Sequence, residues 1–209
     1  MSSEKAVDKS TIELIIKLQA CDYLQGFILA GGTSLALQIG HRKSEDIDLF
    51  SKEPFNTDIL LQKLEKDFGF SADLIEENTL KGSIGNIKTD LLTHPYKDVS
   101  EPLSIGEVHL FAKEDIAAMK INAISVSGKR SKDFIDIYFL LDFFTIEQMI
   151  GFYIAKYPQR NPFHAIKSMV YFDDINMKDW PVMVDRRSLR LSQVKKRIEQ
   201  EMNKYLKSI

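Results

Sequence analysis

The sequence predicts an α+β protein: a mixed sheet flanked by helices over residues 1–112, followed by an α-helical half over residues 113–209 packed on it. Three observations lead there. Up to residue 112, short apolar runs of strand length alternate with amphipathic stretches, separated by glycine, asparagine and proline. From Lys113 onward the apolar spacing becomes helical. Between them, Asp46 and Asp48 alternate with Ile47 and Leu49 inside a strand-like segment, shortly after a Gly31-Gly32 pair.

The elements follow in chain order. "STIELIIKLQACDYL" (residues 10–24) has apolar residues at near-helical spacing behind Ser10 as a cap. "GFILA" (26–30) is a short buried strand ending at the double glycine, after which Thr33 caps a helix that Gly40 closes. "SEDIDLFS" (44–51) is the next strand, and "NTDILLQKLEKDF" (56–68) is an amphipathic helix capped by Asn56 or Thr57. "SADLIEEN", "LKGSIGN" and "IKTDLLT" are three strands separated by turn residues. A loop with two prolines (94–107) leads to the strand "VHLFA". Helices are expected over "KEDIAAMKINAIS", "SKDFIDIYFLLDFF", "TIEQMIGFYIAKY", "NPFHAIKSMV" and "SLRLSQVKKRIEQEMNKYL", with "DDINMKDWPVMVDRR" irregular.

Composition excludes several classes. With 209 residues, 44% of them hydrophobic, the chain can bury a sizeable core. A net charge of -2 gives no bulk attraction for nucleic acid. Cys21 is the single cysteine, which excludes an internal disulfide and a thiolate zinc site and fits a reducing, cytoplasmic setting. The N-terminal "MSSEKAVDKS" lacks the apolar core of a secretory signal, and no apolar run reaches the roughly 20 residues of a membrane helix. A soluble, cytoplasmic protein without membrane contact is expected.

On a strand, residues i and i+2 share a face, so Asp46 and Asp48 project together. Two like charges side by side repel, and burial raises the cost. A divalent cation between them reverses the sign, and Mg²⁺ suits one or two carboxylates plus substrate phosphates. Asp90, in "NIKTDLLTH", is a third strand acid that can lie beside the first two. Three such carboxylates can hold two metals about 4 Å apart. Gly31 and Gly32 expose backbone N–H groups at a helix start, where the dipole favours a triphosphate, and Thr33 or Ser34 can add a hydroxyl. Each feature alone has a plainer meaning: a tight turn, or a solvated acid. Their order, strand, Gly-Gly-Thr, helix, then strand with D-x-D, points to a metal–nucleotide ligand.

This order resembles the nucleotidyltransferase superfamily related to DNA polymerase β. Within it, "GGTSLALQIGHRKSEDIDLFS" resembles the AbiEii/AbiGii-type toxins of abortive infection, which carry G-G-T-x-L-A-L…G-H-R-x-S-x-D-[IL]-D-L-F. The likeness continues more loosely through "KTDLL", "FAKEDIAAMKINAI" and "RSKDFIDIYFLL", over residues 25–145. It implies a polymerase β-like core and transfer of a nucleoside monophosphate from an NTP to an acceptor, RNA (tRNA included) or a protein hydroxyl, with Mg²⁺ or Mn²⁺. It also implies a toxin–antitoxin or abortive-infection setting with a cognate antitoxin. By that resemblance Gly31, Gly32, Thr33 and Ser34 bind the nucleotide phosphates, and Asp46, Asp48 and Asp90 ligate metal. Lys120 is a helical lysine beside the nucleotide, and Asp133, with Asp136 close by, is a further acid at the site.

Other residues admit two readings. Lys120 lies among apolar neighbours and either offsets triphosphate charge or snorkels to the surface. Asp133 and Asp136 can equally be first-turn helix acids. His41, Arg42 and Ser44 either fix the turn, pairing with a nearby acid, or reach phosphate. His94 and His109 have no metal-ligand spacing and read as structural. Arg186, Arg187, Arg190, Lys195, Lys196 and Arg197 form the one concentrated basic stretch, interleaved with Glu199 and Glu201, and read as a solvated face rather than an RNA track. Many toxins of this branch are longer, which implies a reduced acceptor-binding region. The competing reading is a catalytically idle nucleotide- or partner-binding module on the same fold.

Overall fold

The computed structural model describes residues 3–208, so the first two residues of the polar N-terminal stretch and Ile209 lie outside the described residues. The first half contains α1 (Ser3–Ala6), α2 (Lys9–Gln19), β1 (Phe27–Leu29), α3 (Gly31–Ile39), β2 (Ile47–Ser51) and α4 (Thr57–Phe68). It continues with β3 (Phe70–Glu76), β4 (Thr79–Ile84), β5 (Ile87–Thr93), β6 (Leu103–Ile105) and β7 (Val108–Leu110). The second half is α5 (Lys113–Val126), α6 (Ser131–Leu140), α7 (Ile146–Lys156), α8 (Pro162–Ser168) and α9 (Leu191–Ser208). The fold is therefore the α+β arrangement expected: a mixed sheet flanked by helices, then helices alone.

The sheet has seven strands in the order β3-β4-β5-β2-β1-β7-β6. β2 and β5 run parallel, as do β1 and β7, and the other neighbours are antiparallel. Alternation decides which side of β2 is buried: Ile47 and Leu49 are fully inaccessible, whereas Asp48 and Phe50 face the other way and are half-buried. The register of the parallel pair sets Asp48 directly opposite Asp90.

Several element boundaries differ from the expectation. α2 begins at Lys9 after Asp8, so Ser10 lies inside the helix rather than at its cap. α3 begins at Gly31 with Ala30 at its cap, which puts Thr33 in the first turn. β2 begins at Ile47, leaving Asp46 just ahead of the strand. The loop over 94–107 contains β6, a three-residue strand folded onto β7 through a Gly106 turn with positive φ. "LSI" is too short for alternation to mark it as a strand. The caps at Asn56 and Gly40 are as expected, with Asn56 accepting from Ile59 N–H and Gly40 left-handed.

Apolar side chains sort into two clusters. One joins α1–α4 to the sheet through Leu18, Leu29, Leu49 and Leu91, and the other joins α5–α9 around Ile121, Phe134, Tyr153 and Ile198. Two polar seams hold the halves. Lys156 on α7 pairs with Asp115 on α5 at 2.7 Å, both side chains inaccessible, and Asp115 accepts from Val99 and Ser100 N–H, anchoring the long loop. The irregular segment 173–187 is laced back onto the loop after α3. Lys43 N–H donates to Val182 O at 2.8 Å, while Val184 and Asp185 N–H both donate to His41 O at 3.0 Å. Among the described residues no helix is long and apolar enough to cross a membrane.

Candidate active site

The double glycine exists for two separate steric reasons. Gly31 has φ +68, and a Cβ there would lie 2.0 Å from Asp48 Oδ2. A Cβ on Gly32 would lie 2.2 Å from Arg42 Nη2. The first glycine lets the start of α3 sit against the strand acid; the second lets the Arg42 guanidinium pass beneath it. The first three N–H groups of α3, from Gly31, Gly32 and Thr33, precede any intrahelical acceptor.

Arg42 passes there to reach Asp136 on α6. Its Nε and Nη2 donate to Asp136 Oδ1 and Oδ2 at 2.7 and 2.9 Å, His41 Nε2–H donates to Oδ1 at 2.8 Å, and Lys120 Nζ lies 2.7 Å from Oδ2. Lys120 also donates to Asp133 Oδ1 at 2.7 Å. Burial opposes ionisation of Asp136, but Arg42 and Lys120 outweigh it and hold the carboxyl well below the usual range. Burial likewise pulls Lys120 down, and Asp133 and Asp136 overcome it, so the ammonium stays charged. His41 goes the other way: burial lowers its pKa, and its Nδ1 has no partner among the described residues. It is therefore a neutral donor.

Asp48 lies on the floor of a cavity of about 240 Å³, whose polar lining includes Gly31, Gly32, Lys120, Arg130 and Asp133. Its pKa is pushed up by burial, with Asp90 and Asp46 adding repulsion and Lys120 opposing both. Asp90 is buried, with Oδ2 3.2 Å from Lys88 Nζ and Oδ1 unpartnered among the described residues. Asp46, half-buried, points to Lys132 at 3.3 Å and lines a second cavity of about 350 Å³ with Lys132, Asp179, Trp180 and Val182.

Some expected roles are redistributed. The Thr33 hydroxyl donates to Asp46 O and that of Ser34 to Phe111 O at 3.3 Å; both side chains are inaccessible, so neither hydroxyl can meet phosphate. They brace the loop before β2 and the end of β7 instead. Lys120 is doubly ion-paired rather than a free cation for a triphosphate. Because Asp46 precedes the strand, it departs from the face of Asp48, and among the described residues no three carboxylate, imidazole or thiol groups converge on one point. Even so, the donor set suits a hard divalent cation: oxygens only, a repelling Asp48–Asp90 pair, and a buried Asp90 Oδ1 without a donor.

Two sets of residues escaped the sequence reading. Arg130 and Lys132 flank the start of α6 at the cavities' edges, and their signal was the basic run "GKRSK". His94, read as structural, lines the first cavity beside Phe50 and Tyr157, and nothing in its sequence neighbourhood signals that. Two members of the C-terminal basic stretch are ion-paired: Arg186 and Arg197 meet Asp142 at 2.7 and 2.8 Å.

Residues 16–100 match the family model described as "Nucleotidyl transferase AbiEii toxin, Type IV TA system". Over that span the chain is similar to the AbiEii nucleotidyltransferase family. Gly31, Gly32, Asp46, Asp48 and Asp90 all fall in the matched segment, whereas Lys120, Asp133 and Asp136 lie beyond it. An uncharacterized protein of Aquifex aeolicus is 29% identical over 183 residues, covering 83% of this chain and 85% of that one. Among solved structures, the nucleotidyltransferase toxin MenT4 of Mycobacterium tuberculosis superposes with a TM-score of 0.58 at 12% identity, covering 96% of this chain and 82% of that one. A candidate nucleotidyltransferase from H. pylori gives 0.56 at 14% identity, covering 96% and 93%. These structures share the fold of this chain.

Two stability predictions follow from the electrostatics. Asp136→Asn leaves Arg42 and Lys120 short of a buried counter-charge and should cost about 3–5 kcal/mol in urea unfolding; a cost below about 1 kcal/mol would refute the hub. His94 is held down to about 4, by burial first and Lys156 second. A histidine depressed in the folded state favours unfolding wherever the unfolded chain binds more protons, so stability should fall as pH drops from about 6.5 to about 4. Asp48, raised in the folded state, acts with the opposite sign, so the informative quantity is the difference between wild type and His94→Asn, whose pH slope in that window should be shallower.

Proposed function

We propose that the chain transfers a nucleoside monophosphate from an NTP to an acceptor hydroxyl, releasing pyrophosphate, as the toxin of a toxin–antitoxin or abortive-infection pair. The observation that carries this reading is the Gly31–Asp48 contact. It brings a helix start with free N–H groups and a strand carboxylate into one cavity, the pairing a metal–triphosphate requires. The toxin setting rests on the AbiEii match and the likeness to MenT4.

Asp46, Asp48 and Asp90 would hold Mg²⁺ or Mn²⁺, with Lys132 giving up Asp46. When bound, the cation neutralises phosphate charge and lowers the pKa of the attacking hydroxyl. The N–H groups of Gly31, Gly32 and Thr33 hold the β- and γ-phosphates, and Arg130, at the cavity edge, supplies the cationic contact that Lys120 does not. Lys120 opposes the upward push that burial gives the Asp48 carboxyl and fixes Asp133 in the cavity wall. The acceptor oxygen forms a bond to the α-phosphorus as the bond to the bridging oxygen breaks. Pyrophosphate leaves, and Asp90 draws off the acceptor's proton.

The second cavity is the acceptor side. It shares Asp46 with the reacting centre and presents Lys132 and Trp180, which suit an RNA end, tRNA included, or a protein loop bearing a hydroxyl. A cognate antitoxin would be the remaining partner.

The test is label transfer from each α-³²P NTP to total RNA or lysate protein with Mg²⁺ or Mn²⁺. Wild type should label an acceptor, and Asp48→Asn should reduce labelling by about 100-fold or more. Gly31→Ala, which drives a methyl into Asp48, should do the same while leaving far-ultraviolet circular dichroism near that of wild type. Labelling by Asp48→Asn at the wild-type level would sink the reading.

A further inference from the structure

The first cavity has two chemically different ends, and monophosphate transfer uses one of them. Asp48, Lys120, Arg130 and Asp133 supply every charge in its lining. The remainder includes Phe50, His94, Ile116, Met119 and Tyr157. Phe50 is two residues beyond Asp48 on β2, so it stands on the same face about 7 Å further along. Its ring lies 5.1 Å from that of His94 with 31° between planes, and the His94 ring is in turn 4.7 Å from Tyr96. Tyr157 contributes its hydroxyl, 3.2 Å from His94 Nε2. The Phe50, His94 and Met119 side chains are only half-buried although each meets a packed neighbour, so an open surface of each remains in the cavity. His94 stays neutral at physiological pH, as an uncharged stacking ring must.

We infer that this aromatic end is a nucleobase platform, in which the base of the NTP stacks on Phe50 and His94 while its phosphates lie at Gly31 and Asp48. The inference rests on the transfer reading and deepens it by naming what holds the base. The spacing fits: one ribose with its 5′ oxygen separates an α-phosphate from its base, and two strand residues separate Asp48 from Phe50. Stacking accepts any base, because every base has a π-face. The platform therefore serves all four nucleotides.

The experiment compares equilibrium binding of ATP, GTP, CTP, UTP and inorganic tripolyphosphate, all with Mg²⁺, to wild type, Phe50→Leu and His94→Asn. Tripolyphosphate reports on the glycine turn alone, and its unchanged affinity certifies an intact cleft in each variant. Wild type should bind the NTPs more tightly than tripolyphosphate. Phe50→Leu should weaken every NTP by about 10-fold or more with tripolyphosphate unaffected, and His94→Asn should act in the same direction. His94→Asn, on the loop after β5, is the arbiter should Phe50→Leu disturb the strand. NTP affinities that stay at wild-type values, or fall together with tripolyphosphate in both variants, would overturn the platform. Wild-type affinity equal for NTPs and tripolyphosphate would overturn it too, while leaving the phosphate site standing. No binding of either ligand to wild type would remove the transfer reading along with it.

Discussion

One inaccessible carboxylate holds the cleft together. Both oxygens of Asp136 accept from Arg42, and the carboxylate also meets the imidazole N–H of His41 and the ammonium of Lys120, so it ties the loop after α3 to two helices of the other half. Those contacts are desolvated, and a buried ion network of this kind contributes geometry more than net stability. Its geometric consequence is concrete. Arg42 reaches Asp136 by passing Gly32, and the loop that carries Arg42 leads to Asp46. The acid motif is therefore aimed by a residue ninety positions further along the chain.

The cleft then divides around the two motif aspartates. Asp48 belongs to the glycine turn and the first cavity, while Asp46 belongs to the second, with Lys132 and Trp180. A strand acid and a loop acid two residues apart can thus serve a donor pocket and an acceptor pocket together. The segment 173–187, without regular structure beyond one 3₁₀ turn, builds the wall of the second pocket because its backbone is bonded to the loop at His41 and Lys43.

Much of this was legible in the sequence. Six of the seven strands, the helical second half, and the positions of Gly31, Asp48 and Asp90 follow from periodicity and spacing, because local backbone preference and burial agree there. The hydroxyls of Thr33 and Ser34 turn away from the turn they flank because their partners, Asp46 O and Phe111 O, are brought near only by tertiary folding. Asp136 was read as an alternative between a functional acid and a helix-dipole acid. Periodicity on α6 shows that it faces inward but not that Arg42, His41 and Lys120 wait there. Gly32 illustrates the same limit: a glycine pair suggests an exposed backbone, and only coordinates reveal that one of the two makes room for a side chain from elsewhere. His94 was passed over since stacking partners leave no spacing rule in the chain.

The most direct measurement is anomalous diffraction from crystals grown with Mn²⁺ and a non-hydrolysable NTP. The expected result is a manganese peak bounded by Asp46 and Asp48, Lys132 displaced from Asp46, and phosphates against the N–H groups of Gly31 and Gly32. A nucleotide bound elsewhere, with Asp46 still on Lys132 and no peak beside Asp48, would contradict the central claim.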